Sequence, residues 1–200
     1  MNMKILLSIL SLFLLFNCVN KTERISETLG IKKIDTIMYS YKHHHGYMKL
    51  MLFSNKEFLF INQVHPELGY SKTTGTYTKE SNALNLKPFL CIECKLLDRH
   101  NVYKFVCDTI NFSNIEHQVK TEYFVFNWKN HNYLLSEEPD QFYDPDNDEN
   151  DFNRFINDYH AKIKPENHNR YLVSETEKIT NNLLPIDSFP EKYKHLILKK

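Results

Sequence analysis

Between residues 34 and 136 the chain breaks into short β-prone runs separated by turn chemistry, and this pattern limits the fold more than any other feature. Residues 34–41, 47–53, 57–62, 75–79, 83–87, 89–97 and 102–110 read as strands, and 118–129 and 132–136 extend the series. Ser54-Asn55-Lys56 and Glu80-Ser81-Asn82 read as hairpin turns between them. Within 102–110, Tyr103, Phe105, Cys107 and Thr109 alternate with Lys104 and Asp108, the period of a half-buried antiparallel strand. Phe124, Phe126 and Trp128 share a face in the same way. So many antiparallel strands must close or curve to hide their edges.

The style changes after residue 136. The acidic, Pro-punctuated stretch 137–151 leads into Phe152, Phe155, Ile156, Tyr159 and Ile163, one apolar stripe at helical spacing. Asp and Asn at its start and Lys162 and Lys164 at its end suit the helix dipole, and Pro165 stops it. The spacing predicts a helix over about 150–164. Residues 171–174 read as a last strand, and Ser188-x-x-Glu191 with Pro190 as the cap of a terminal helix reaching Leu198. The expected fold class is α+β: mainly antiparallel β, a small barrel-like or strongly curved sheet, with one packed amphipathic helix in the C-terminal half.

A chain of 200 residues with 42% hydrophobic content can bury one core, so residues 34–200 are expected to form a single domain. Its 25 basic side chains balance 25 acidic ones, which argues against a nucleic-acid partner, since binding one needs a basic face. With only 4 Gly, no Gly-rich phosphate loop can be drawn.

Residues 5–16 (ILLSILSLFLLF) are apolar but for Ser8 and Ser11 and follow a basic start. A dozen helical residues span roughly 18 Å, short of the ~30 Å hydrocarbon core, so the run reads as a signal-peptide core before an anchor helix. Ending in Leu15-Phe16-Asn17-Cys18, it resembles a bacterial lipoprotein signal. That resemblance implies removal of residues 1–17, a covalent lipid on Cys18 (diacylglycerol and palmitate-type acyl chains), and a membrane-anchored place in the cell envelope. Asn17 departs from the small residue that commonly precedes the cysteine, and an uncleaved anchor or plain secretion are the alternatives. The polar stretch 18–33 reads as a tether.

The remaining cysteines, Cys91, Cys94 and Cys107, are disulfide candidates in an exported chain, with Cys91 or Cys94 bridging to Cys107 across neighbouring strands. Free thiols are a second reading. A third is a zinc set of Cys91, Cys94, His100 and Cys107, whose soft and borderline ligands suit that ion. His43-His44-His45 reads as an exposed turn before Gly46; as metal ligands, only His43 and His45 share a side of a strand. Asp144-x-Asp146-x-Asp148 begins like a calcium loop but has Glu149 where that loop needs glycine and Phe155 where it needs glutamate, so it reads as a hydrated acidic loop.

No catalytic motif is present in the sequence, and no catalytic residue or resident cofactor is expected. The block Tyr123-Phe124-Val125-Phe126-Asn127-Trp128, Tyr133-Leu134-Leu135-Ser136 and Phe152 onward resembles a segment of uncharacterised exported bacterial proteins, in which a strand ending in Trp turns into a Tyr-Leu strand and then a Phe-bearing helix. Gly75-Thr76-Tyr77 with Leu84-Asn85-Leu86 resembles a hairpin of small envelope β domains. Lys129 stands where the former pattern has glycine. These resemblances imply a shared envelope fold and no activity. Three functions follow as expectations: a lipid-anchored envelope protein acting by binding or structural contact, with the membrane and an envelope protein as partners; a zinc- or copper-binding lipoprotein; or a carrier of a small apolar ligand in a barrel.

Overall fold

The computed structural model describes residues 35–43, 46–65, 69–99, 102–110, 119–138, 149–168, 171–175 and 183–199. Residues 1–34, where the signal and tether are expected, lie outside them. Among the described residues nine strands form: β1 Thr36–His43, β2 Gly46–Phe53, β3 Glu57–His65, β4 Gly69–Glu80, β5 Ala83–Arg99, β6 Val102–Ile110, β7 Glu122–Trp128, β8 His131–Leu135 and β9 Leu172–Glu175. Among the described residues two helices form, α1 Asp151–His160 between β8 and β9, and α2 Glu191–Leu198 after β9.

All pairings are antiparallel, in the order β4-β3-β2-β1-β9-β8-β7-β5, and β4 pairs with β5 to close an eight-strand barrel. Strand β6 is the ninth, added to the outer half of β5. The architecture is the α+β plan expected from the sequence, with a second helix packed beside the first.

Alternation fixes which residues face inward. Tyr39, Leu50, Leu52, Phe58, Leu84 and Leu134, all buried, fill the barrel as an eight-strand interior allows. The opposite faces of β7 and β8, carrying Phe126, Trp128, Tyr133 and Leu135, meet Phe152, Phe155 and Ile156 of α1 and Phe189, Tyr193 and Ile197 around α2. Strands β7 and β8 are therefore covered on both sides. Burying each such aromatic or aliphatic side chain contributes about 1.5–3 kcal/mol, which explains why so aromatic a chain settles as a barrel with a helical layer on one flank.

Turns follow the positive-φ rule. Lys129 (φ 47°) and Asn130 (φ 65°) form the two-residue link between Trp128 and His131, so the hairpin closes without the glycine of the resembled pattern. Lys56 (φ 68°) ends the Ser54-Asn55-Lys56 link, and the Asn55 side chain accepts from the Glu57 amide at 3.1 Å.

Several boundaries differ from the sequence reading. Strands β4 and β5 are longer than expected: β4 begins at Gly69, with polar Ser71 and Thr73 facing inward, and β5 runs on through Pro88. A bulge opposite Thr74 and Gly75 absorbs the missing amide there. Helix α1 is capped by the Asn150 side chain, which accepts from the Asn153 amide at 3.0 Å. It ends at His160, and in the turn that follows Lys162 takes a positive φ (58°), with the Lys162 and Ile163 amides bonding back to the Tyr159 and Asp158 carbonyls. Ile163 thus falls beyond the helix and is partly exposed, rather than completing the apolar stripe. The expected Ser188 cap is not formed: its hydroxyl donates to the Pro185 carbonyl within a 3₁₀ turn, and Pro190 precedes α2. Strand β6 is exposed on both faces, not half-buried, because it hangs outside the closed barrel.

Candidate functional site

Where the Glu80–Ala83 turn and the start of β7 meet α1 and Pro190, a groove of about 460 Å³ opens to solvent. Tyr123, Phe124, Leu135 and Phe152 give it an apolar lining, while Glu80, Glu122, Glu137 and Glu138 bring carboxylates to it. Glu138 is committed to the backbone, its Oε1 accepting from the Thr121 and Glu122 amides at 2.8 and 3.1 Å. Glu137 pairs with Lys192. Glu80 and Glu122 make no ion pair among the described residues, so the groove has an uncompensated negative rim over an aromatic floor. It lies outside the barrel.

Beneath it a polar knot ties barrel to helix. The buried Asp151 carboxylate accepts from Lys120 Nζ at 3.0 Å, the Ser136 amide at 3.0 Å and Arg154 Nη1 at 3.5 Å. Burial pushes its carboxyl above the usual range, and Lys120, the Ser136 amide and Arg154 oppose that push.

The sulfurs divide. Cys94 and Cys107, directly opposite on β5 and β6, form a disulfide, one of the pairings expected. Cys91 is a buried free thiol three residues away on β5, hence on the other face. Thr73 Oγ1 donates to its Sγ at 3.3 Å, and burial raises its pKa, so the thiolate that metal or redox chemistry uses is disfavoured. The bridge occupies two of the four ligands of the zinc set. His100 and His45 lie outside the described residues, as do the side chain of His43 and the Asp144, Asp146 and Asp148 stretch. Among the described residues no group of three or more His, Cys, Asp or Glu side chains is placed to hold a metal ion.

Breaking the bridge should be measurable. A Cys107→Ser variant frees a loop of 13 residues and is expected to lose about 2–3 kcal/mol in reversible urea unfolding. An unchanged midpoint would mean the bridge adds nothing to the fold.

One end of the interior is polar: Asn62, Ser71, Thr73 and Cys91 are buried there, and Asn62 Oδ1 has no hydrogen-bond partner among the described residues. Tyr39, deeper among aliphatic side chains, has its hydroxyl pKa pushed up to about 12 by burial.

Sequence reasoning did not single out His168. Its ring stacks on Trp128, packs near Phe155 and Tyr171, and its Nδ1 lies 3.1 Å from the Tyr133 hydroxyl. Burial holds its pKa below the ordinary histidine value against the pull of Asp158. The unfolded chain therefore takes up this proton before the folded one does. The group's contribution to stability is complete above about pH 6.5 and is lost as pH falls through that value toward the depressed one. The melting temperature should drop between pH 7.5 and 5, and a His168→Gln variant should fall less steeply. Equal slopes would show that this imidazole does not govern the acid limb.

Among the described residues no helix is long and apolar enough to cross a membrane. No protein family, curated protein or solved structure matches the chain.

Proposed function

We propose that the chain is a cell-envelope protein moored by lipid at Cys18, whose barrel acts by binding or structural contact rather than by catalysis. The observation that carries the binding role is the groove beside Phe124 and Phe152, open to solvent and rimmed by Glu80 and Glu122. Its size falls in the range of small-ligand sites, and its composition suits a cationic group attached to an apolar body. The mooring is supported by the apolar run that ends at Cys18 and the polar stretch after it. Two or more acyl chains hold a protein firmly to a bilayer, whereas one holds only marginally.

The barrel is also consistent with carrying a ligand inside. The polar end around Asn62 and Cys91 favours that second reading, while the large side chains of Tyr39, Leu50, Phe58 and Leu134 occupy the middle.

Two arms test the proposal. Cells fed a labelled fatty acid should incorporate it into the wild-type chain and not into Cys18→Ala; label retained by the variant contradicts the mooring. A fluorescent Lys- and Trp-bearing peptide, followed by anisotropy, should bind saturably and be weakened by Glu122→Lys. No binding, or binding indifferent to that change, contradicts the role of the groove.

A further inference from the structure

Strand β6 is an open edge. Among the described residues only β5 pairs with it, it contains no proline, and both its faces carry exposed apolar side chains, Phe105 at 45% and Val106 at 39%. An open edge of nine residues, whose alternate amides and carbonyls point away from β5, is a template for another strand. The Cys94–Cys107 bridge and the Tyr70 ring, 5.7 Å from Phe105, fix that edge in place.

The sequence of β6 says which strand fits. Read about Val106, VYKFVCDTI is complementary to itself in antiparallel register. Val102 then stands opposite Ile110, Tyr103 opposite Thr109, Phe105 opposite Cys107, and Val106 opposite its own copy. Lys104 of each copy stands opposite Asp108 of the other. Every residue of the strand is matched, and both charges meet their opposites. Shifting the symmetry centre to Phe105 or Cys107 sets Lys104 and Asp108 opposite apolar residues instead. Cross-strand pairs of opposite charge stabilise a sheet and like pairs oppose it. Within one copy Asp108 stands opposite Glu93, itself paired with Lys95 at 3.0 Å. Among the described residues neither Lys104 nor Asp108 makes an ion pair, so each is left with a charge for a partner to answer.

We infer that the chain forms a two-fold symmetric dimer by antiparallel pairing of β6 with β6 of a second copy, in the register centred on Val106. The two barrels then share a continuous sheet across the axis. A strand edge alone covers less than the roughly 800 Å² per partner of a standard interface, so the dimer dissociates on dilution.

The test uses the full-length chain in mild detergent. Sedimentation should show monomer and dimer in exchange. Lys104→Asp and Asp108→Lys should each weaken the dimer at least about tenfold, and the Lys104→Asp/Asp108→Lys double variant should restore it. Under mild oxidation Val106→Cys should cross-link to itself. Lys104→Cys alone should not, but should cross-link when mixed with Asp108→Cys. Monomer throughout at about 200 µM, dimers indifferent to the charge changes (as shared micelles would give), or no Val106→Cys cross-link would each overturn the inference.

Discussion

Replacing Gly75 with alanine should leave the barrel unable to close. A Cβ at that position would lie 2.2 Å from the Lys87 carbonyl oxygen, 2.6 Å from Phe58 Cε1 and 2.7 Å from Pro88 Cα. Two of these three contacts are backbone, so a rotamer change cannot relieve them. Strands β4 and β5 would have to part where the bulge at Pro88 is already fitted to Gly75, and theirs is the pairing that closes the sheet on itself. Opening it exposes the interior around Phe58 and Leu84. The expected loss exceeds about 4 kcal/mol, seen as lost near-ultraviolet dichroism and failure to fold at 37 °C. A Phe58→Leu second change should not rescue it, because the nearest clash is the Lys87 carbonyl. Rescue would place the strain in the aromatic ring instead.

The second large effect is expected at Asp151. Alanine there would strand Lys120 Nζ and the Ser136 amide, and would leave Arg154, whose side chain is 9% exposed, with Glu149 at 3.6 Å. Removing one member of a buried ion pair costs about 3–5 kcal/mol, because the opposite charge stays behind without compensation. Helix α1 would also loosen from β8, since the same residue's amide donates to the Ser136 carbonyl at 3.2 Å. Asp151→Asn keeps the shape and an acceptor, and burial already disfavours the charged form, so it should cost clearly less than alanine in urea unfolding. Equal losses would show that the charge, which both changes remove, carries the whole effect and that the acceptor kept by asparagine adds nothing.

The parts of the fold legible in the sequence are those set by local alternation. β1, β2 and β3 were visible because inward Tyr39, Leu50, Leu52, Phe58 and Phe60 recur at period two between polar turns. Helix α1 was visible because Phe152, Phe155 and Ile156 keep helical spacing behind Asn150. The first half of β4 was hidden because its inward residues are Ser71 and Thr73, which are polar. Pro88 looked like a break because the bulge that tolerates it depends on Gly75, thirteen residues earlier. β6 carried the alternation of a half-buried strand, yet exposure depends on whether the sheet has closed before reaching it. The groove was illegible for the same reason. It arises from the pairing of Ala83 with Phe124 and from the docking of Phe152 and Pro190, none of which leaves a local signature. Of the cysteines, spacing offered both Cys91 and Cys94 as partners for Cys107; the register of β5 against β6 selected Cys94.

The mass of the mature amino terminus tests the central claim most directly. The chain should be recovered from its native membranes and digested, and its first peptide identified by mass spectrometry. That peptide should begin at Cys18 and carry diacylglycerol, with or without a further acyl group. A first peptide that begins elsewhere, or an unmodified Cys18 thiol in soluble protein, would contradict the account.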